Sequence, residues 1–161
     1  MEATAALTNR LKEVLTEGKW VTGTNFKAQI IDIDWKDAVK SIDGLNSVAL
    51  LTFHIHYYIA GVSQVFEGGT LAISDKYSFD APPITSEKDW LDLVHRFCLD
   101  AENFIQLVEE MPDEKLSEVF VDEKYGTYER NINLMIEHCY YHLGQVLIIK
   151  KLVARKEGKA I

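Results

Sequence analysis

The segment 127–152, TYERNINLMIEHCYYHLGQVLIIKKL, constrains this chain more than any other stretch. Its apolar residues recur at helical spacing, and His138 and His142 stand four residues apart, so both imidazoles project from one helix face about one turn apart. Asn131, His138, His142, Gln145 and Ile149 fall on a single stripe. Leu134, Met135, Leu143, Val146 and Leu152 flank it and are expected to face a core. A buried face that carries two histidines is either a hydrogen-bonded polar patch or a pair of metal ligands. Histidines at i and i+4 chelate zinc in H-E-x-x-H helices. Here the run is His-Cys-Tyr-Tyr-His, so the catalytic Glu of that motif is missing, which argues against a zincin-type protease. A metal needs a third ligand from elsewhere in the chain.

The rest of the chain supplies more amphipathic helices. Leu7, Leu11, Val14 and Leu15 repeat on one face of an expected helix over 3–17, which Gly18 stops. Residues 19–33 are read as an ordered loop packing Trp20, Phe26, Ile30 and Ile31 on the core. Asp34 caps a short helix over 35–41. A second long helix runs from near Asn46 to Gly68-Gly69, with Val48, Leu51, Ile55, Tyr58, Val62 and Val65 facing inward. Ser86 and Asp89 have capping-box spacing for a third long helix over 86–111, whose inner face is Trp90, Val94, Phe97, Ala101, Phe104 and Val108. His95 lies on its outer side. Residues 117–126 read as an extended piece or small hairpin, and Thr127 caps the last helix. Four long amphipathic helices predict one all-α domain over 1–161, built as a four-helix bundle with long ordered connecting loops.

Within that frame the second long helix offers the third ligand. His54 and His56 differ by roughly 200 degrees about the axis, so they cannot serve one site. His54 borders the inward Leu51 and Tyr58 and is the better candidate, with His56 the alternative. The connection 70–85, with Tyr77, Phe79 and Pro82-Pro83, is long enough either to cover a pocket or to be pinned by its own aromatics. Gln145 and Asn131 are candidates to orient ligands, or simply hydrogen-bond across the helices.

Net charge of -8 disfavours nucleic acid and anionic membranes as partners. Two cysteines, Cys98 and Cys139, lack C-x-x-C spacing, so neither a disulfide framework nor a cysteine zinc site is indicated. No secretory signal is read at the N-terminus, and no apolar run is long enough to cross a bilayer, which together predict a soluble, cytoplasmic protein.

The segments SVALLTFHIHYY, with His54, and IEHCYYHLGQVLIIKKL, with His138, His142 and the Gly144-Gln145 step, resemble the DinB-like (YfiT-like) metal-binding four-helix-bundle superfamily. That resemblance implies a metal triad of His54, His138 and His142 holding zinc, nickel or a similar divalent ion, and a homodimer formed through helix faces. It also implies kinship with thiol-dependent S-transferases that use low-molecular-weight thiols such as bacillithiol, and with a mycothiol-dependent maleylpyruvate isomerase. The function expected on this basis is thiol-dependent transfer to a small-molecule substrate. The alternatives are a non-catalytic, metal-fastened dimeric binding module and a metal-assisted hydrolase using bound water.

Overall fold

A computed structural model describes residues 2–18 and 20–158. Among them are six α-helices: α1 (Glu2–Leu15), α2 (Phe26–Ile30), α3 (Trp35–Ala38), α4 (Val48–Phe66), α5 (Glu87–Glu109) and α6 (Tyr128–Lys156). Short 3-10 turns occupy Asp75–Tyr77, Asp113–Ser117 and Glu123–Tyr125. Helix starts follow the cap residues. Ser47, Ser86 and Thr127 each accept a hydrogen bond from the backbone N–H three residues on, which satisfies a donor the helix itself leaves orphaned. Asp34 caps α3 by accepting from the Lys36 N–H, two residues on.

The four long helices pack so that α1 and α4 each meet both α5 and α6. Their apolar stripes merge in one core, and every inward residue expected of α5, from Trp90 to Val108, is buried there. Each large apolar side chain removed from water contributes about 1.5–3 kcal/mol. That stabilisation is what fixes α4 against α6, and hence the register of any side chains between them.

The fold is a six-helix all-α arrangement with long loops, and this corrects the expected four-helix bundle. The difference lies in the short helices α2 and α3, of which α3 is expected over 35–41 and α2 is not. The stretch read as a loop contains α2, capped by Asn25, and both Phe26 and Ile30 are fully buried. Phe26 stacks on Phe97 of α5 at 5.0 Å, and α3 adds Ala38 to the core, so both short helices belong to the core. Trp20 and Ile31, expected on the core with Phe26 and Ile30, go the other way: they are 88% and 48% exposed. Two further corrections are local. In 117–126 the extended pairing is reduced to a single antiparallel bridge, Val119 to Thr127, around a 3-10 turn at Glu123–Tyr125. Leu134, expected to face the core, is 41% exposed. No helix among the described residues is long and apolar enough to cross a membrane.

Candidate metal centre

His54 comes from the middle of α4, and His138 and His142 from successive turns of α6. Packing of α4 on α6 brings the three together, with their candidate ligand atoms within 4.8 Å of one another. His138 Nε2 lies 3.0 Å from His54 Nε2 and 2.9 Å from His142 Nε2. Nitrogens bound tetrahedrally at 2.0–2.1 Å from one ion stand about 3.3 Å apart, close to the spacing His138 already keeps from both other rings, while all three ligand atoms stay within 4.8 Å of one another. His54 and His142 are each only 5% exposed.

The outer nitrogens explain why the inner ones are available. His54 Nδ1 lies 3.1 Å from the carbonyl oxygen of Ser78. His142 Nδ1 lies 2.6 Å from Gln145 Oε1. Each oxygen can only accept, so each Nδ1 carries the proton and each Nε2 presents a bare lone pair. Two lone pairs thus converge on His138 Nε2. Ligand histidines in metal sites are commonly fixed in this way, by a carbonyl or carboxylate on the far ring nitrogen.

Burial reinforces the neutral forms. It is the main cause that lowers the pKa of His54 and His142 below the usual histidine value, the Gln145 hydrogen bond opposing it at His142. At His138 burial, followed by the charges of His142 and His54, pushes the pKa down to about 4. At neutral pH all three rings are uncharged, the state a metal ligand needs.

The connection 70–85 lies on α4 and forms one wall of the site. Gly61 admits it: a Cβ there would sit 2.3 Å from Ile73 Cγ2. Tyr57 and Ser74 exchange hydrogen bonds, Tyr57 Oη donating to the Ser74 carbonyl and Ser74 N–H donating to Tyr57 Oη. Tyr58 Oη donates to Asp75 Oδ1 at 2.7 Å. These anchors place Ser78 against His54 and stack Phe79 on its ring, centroids 4.0 Å apart and nearly parallel. Tyr58 stands edge-on to both His54 and His138. The wall therefore orients His54 as well as covering it. The sequence could not reveal Ser78's part, since a carbonyl acceptor carries no side-chain signal.

The remaining candidates sort cleanly. His56 turns to α5, where its Nε2 meets Asp100 Oδ2 at 2.7 Å, so it does not replace His54 in the cluster. Asn131 donates to the carbonyls of Tyr125 and Thr127 and braces the start of α6, away from the histidines. Cys139 is fully buried, its thiol pKa raised by that burial, and Cys98 and Cys139 are both free thiols. His95 is exposed on α5.

No family model, curated protein or solved structure matches the chain. The DinB-like assignment is accordingly corrected: the histidines that carried the resemblance do cluster, but in a six-helix fold and with no family match behind them. What stands is an all-α protein with a buried three-histidine cluster consistent with a divalent-metal site.

Proposed function

We propose that His54, His138 and His142 ligate one divalent ion, zinc or nickel, and that the protein uses it in thiol-dependent transfer to a small-molecule substrate. The observation that carries the metal reading is the convergence of three Nε2 atoms, two of them held as bare lone pairs by Ser78 and Gln145. Three neutral imidazoles leave coordination positions open, as catalytic sites do. A divalent ion bound there supplies Lewis acidity that brings the pKa of a coordinated thiol or water toward neutrality. The protein's own part is to fix ring orientation through Ser78 and Gln145, and to exclude water from one side with Phe79 and Tyr58. A low-molecular-weight thiol is the proposed nucleophile. The reduced Cys98 and Cys139 support a cytoplasmic setting in which such thiols abound. A homodimer is also proposed, on the support of Leu134, Tyr141 and Ile148, exposed apolar residues that recur every seven positions along α6.

The test is metal content and turnover on the full chain and on His138→Ala. About one divalent ion per native chain, lost in the variant, with turnover of an electrophile that requires added thiol, is the expected result. Turnover without thiol assigns a hydrolase, and metal that stabilises the protein without any turnover assigns a structural fastening of α4 to α6. Stoichiometric metal retained by the variant overturns the site itself.

A further inference from the structure

A groove of about 450 Å³ opens between α4, α5 and the segment that follows Phe79, and none of the three histidines lines it. Its volume is that of a small-molecule site. Leu50 and Phe53 of α4 and Leu93 of α5 contribute apolar surface, and Pro82 and Pro83 line it as well. Neither proline carries a backbone N–H, so this side offers no donor from them.

The charged groups at the groove are unequally engaged. Asp89 Oδ2 already accepts two hydrogen bonds from Thr85, through its N–H and its hydroxyl. Asp92 Oδ2 is paired with Lys88. Arg96 donates through Nε to the carbonyl oxygen of Asp92, and its guanidinium meets no carboxylate at ion-pair distance among the described residues. An apolar trough thus ends beside a guanidinium whose Nη groups are available, and that planar fork matches a carboxylate. A phosphate dianion fits less well, because Asp89 and Asp92 line the same groove and oppose a second negative charge.

We propose that this groove binds a small amphipathic carboxylate, its apolar chain or ring laid on Leu50, Phe53 and Leu93 and its carboxylate on Arg96. The site is separate from the histidine cluster and does not depend on the metal reading.

The probes are octanoate, 1-octanol and octylamine, titrated calorimetrically into the full chain, into Arg96→Gln and into His138→Ala, with amide NMR shifts locating the bound molecule. Octanoate is expected to bind about tenfold more tightly than octanol, a charge-assisted hydrogen bond at a solvent-facing rim being of that size. The shifts should centre on Leu50, Phe53 and Leu93. Arg96 is exposed, so its replacement leaves the fold intact, and it should bring octanoate down to the level of octanol. His138→Ala should bind octanoate as the native chain does; loss there would put the carboxylate on the histidines and overturn the proposal. Equal affinity for all three probes, preference for octylamine, absence of binding, or an octanoate preference that survives in Arg96→Gln would each overturn it as well.

Discussion

His54 and His56 stand two residues apart on the same helix, yet they enter different chemistry. His54 is buried, with a carbonyl oxygen on Nδ1 and two further imidazoles around Nε2. His56 turns to the neighbouring helix and puts Nε2 on a carboxylate. The first arrangement offers a neutral lone pair to a shared point. The second ties α4 to α5 with its Nε2 already engaged. Position about the helix axis decides which partner each ring meets, and the partner decides what the ring can do.

The contrast predicts effects of graded size. Replacing Gln145 by Leu removes the oxygen that holds His142 in its Nδ1–H form. Metal affinity, measured by competition with a chromophoric chelator, should fall about 10–100-fold. An unchanged affinity would mean that the outer hydrogen bond does not set the tautomer.

Acid should act next. The folded pKa values of His54, His138 and His142 lie below the unfolded value of 6.5, that of His138 at about 4. The unfolded chain therefore binds protons first as pH drops. Stability of the metal-free protein should fall as pH goes from about 6.5 towards 4, and be insensitive to these groups above that window. Denaturant titrations across that range check it, and His138→Ala should flatten the slope. A slope as steep in that variant as in the native chain would remove the cluster as its source.

Smaller still is the wall. Phe79→Ala removes the ring stacked on His54, and a loss of about 1 kcal/mol in unfolding free energy is expected. Smallest is His56→Ala, which breaks a partly exposed pair of about 0–1 kcal/mol and should leave metal content alone.

How much of this was legible in the sequence differs by residue, for physical reasons. The helical period exposed the inner faces of α4, α5 and α6, because burial of a repeated stripe is what selects that period. The same period separated His54 from His56 and paired His138 with His142. It was blind to α2, whose five residues are too few to show a repeat, and so Phe26 and Ile30 were assigned to a loop. It also left Trp20 on the core and Leu134 inside, because hydrophobicity marks a residue that can be buried, and packing alone decides which one is. Gln145 and Asn131 looked equivalent on one stripe. Only Gln145, three residues past His142, reaches a histidine, while Asn131 folds back on the cap of its own helix. The family resemblance rested on the histidine segments alone, and the short helices α2 and α3, which precede both of them in the chain, changed the architecture without altering those segments.

The most direct test of the central claim is elemental analysis of protein purified without a histidine tag, comparing the native chain with His54→Ala, His142→Ala and His56→Ala. The three-histidine site predicts about one divalent ion in the native chain and in His56→Ala, and none in the other two. Metal content that is unchanged in every variant, or no uptake by any chain when metal is supplied, would contradict it and leave the cluster a hydrogen-bonded part of the core.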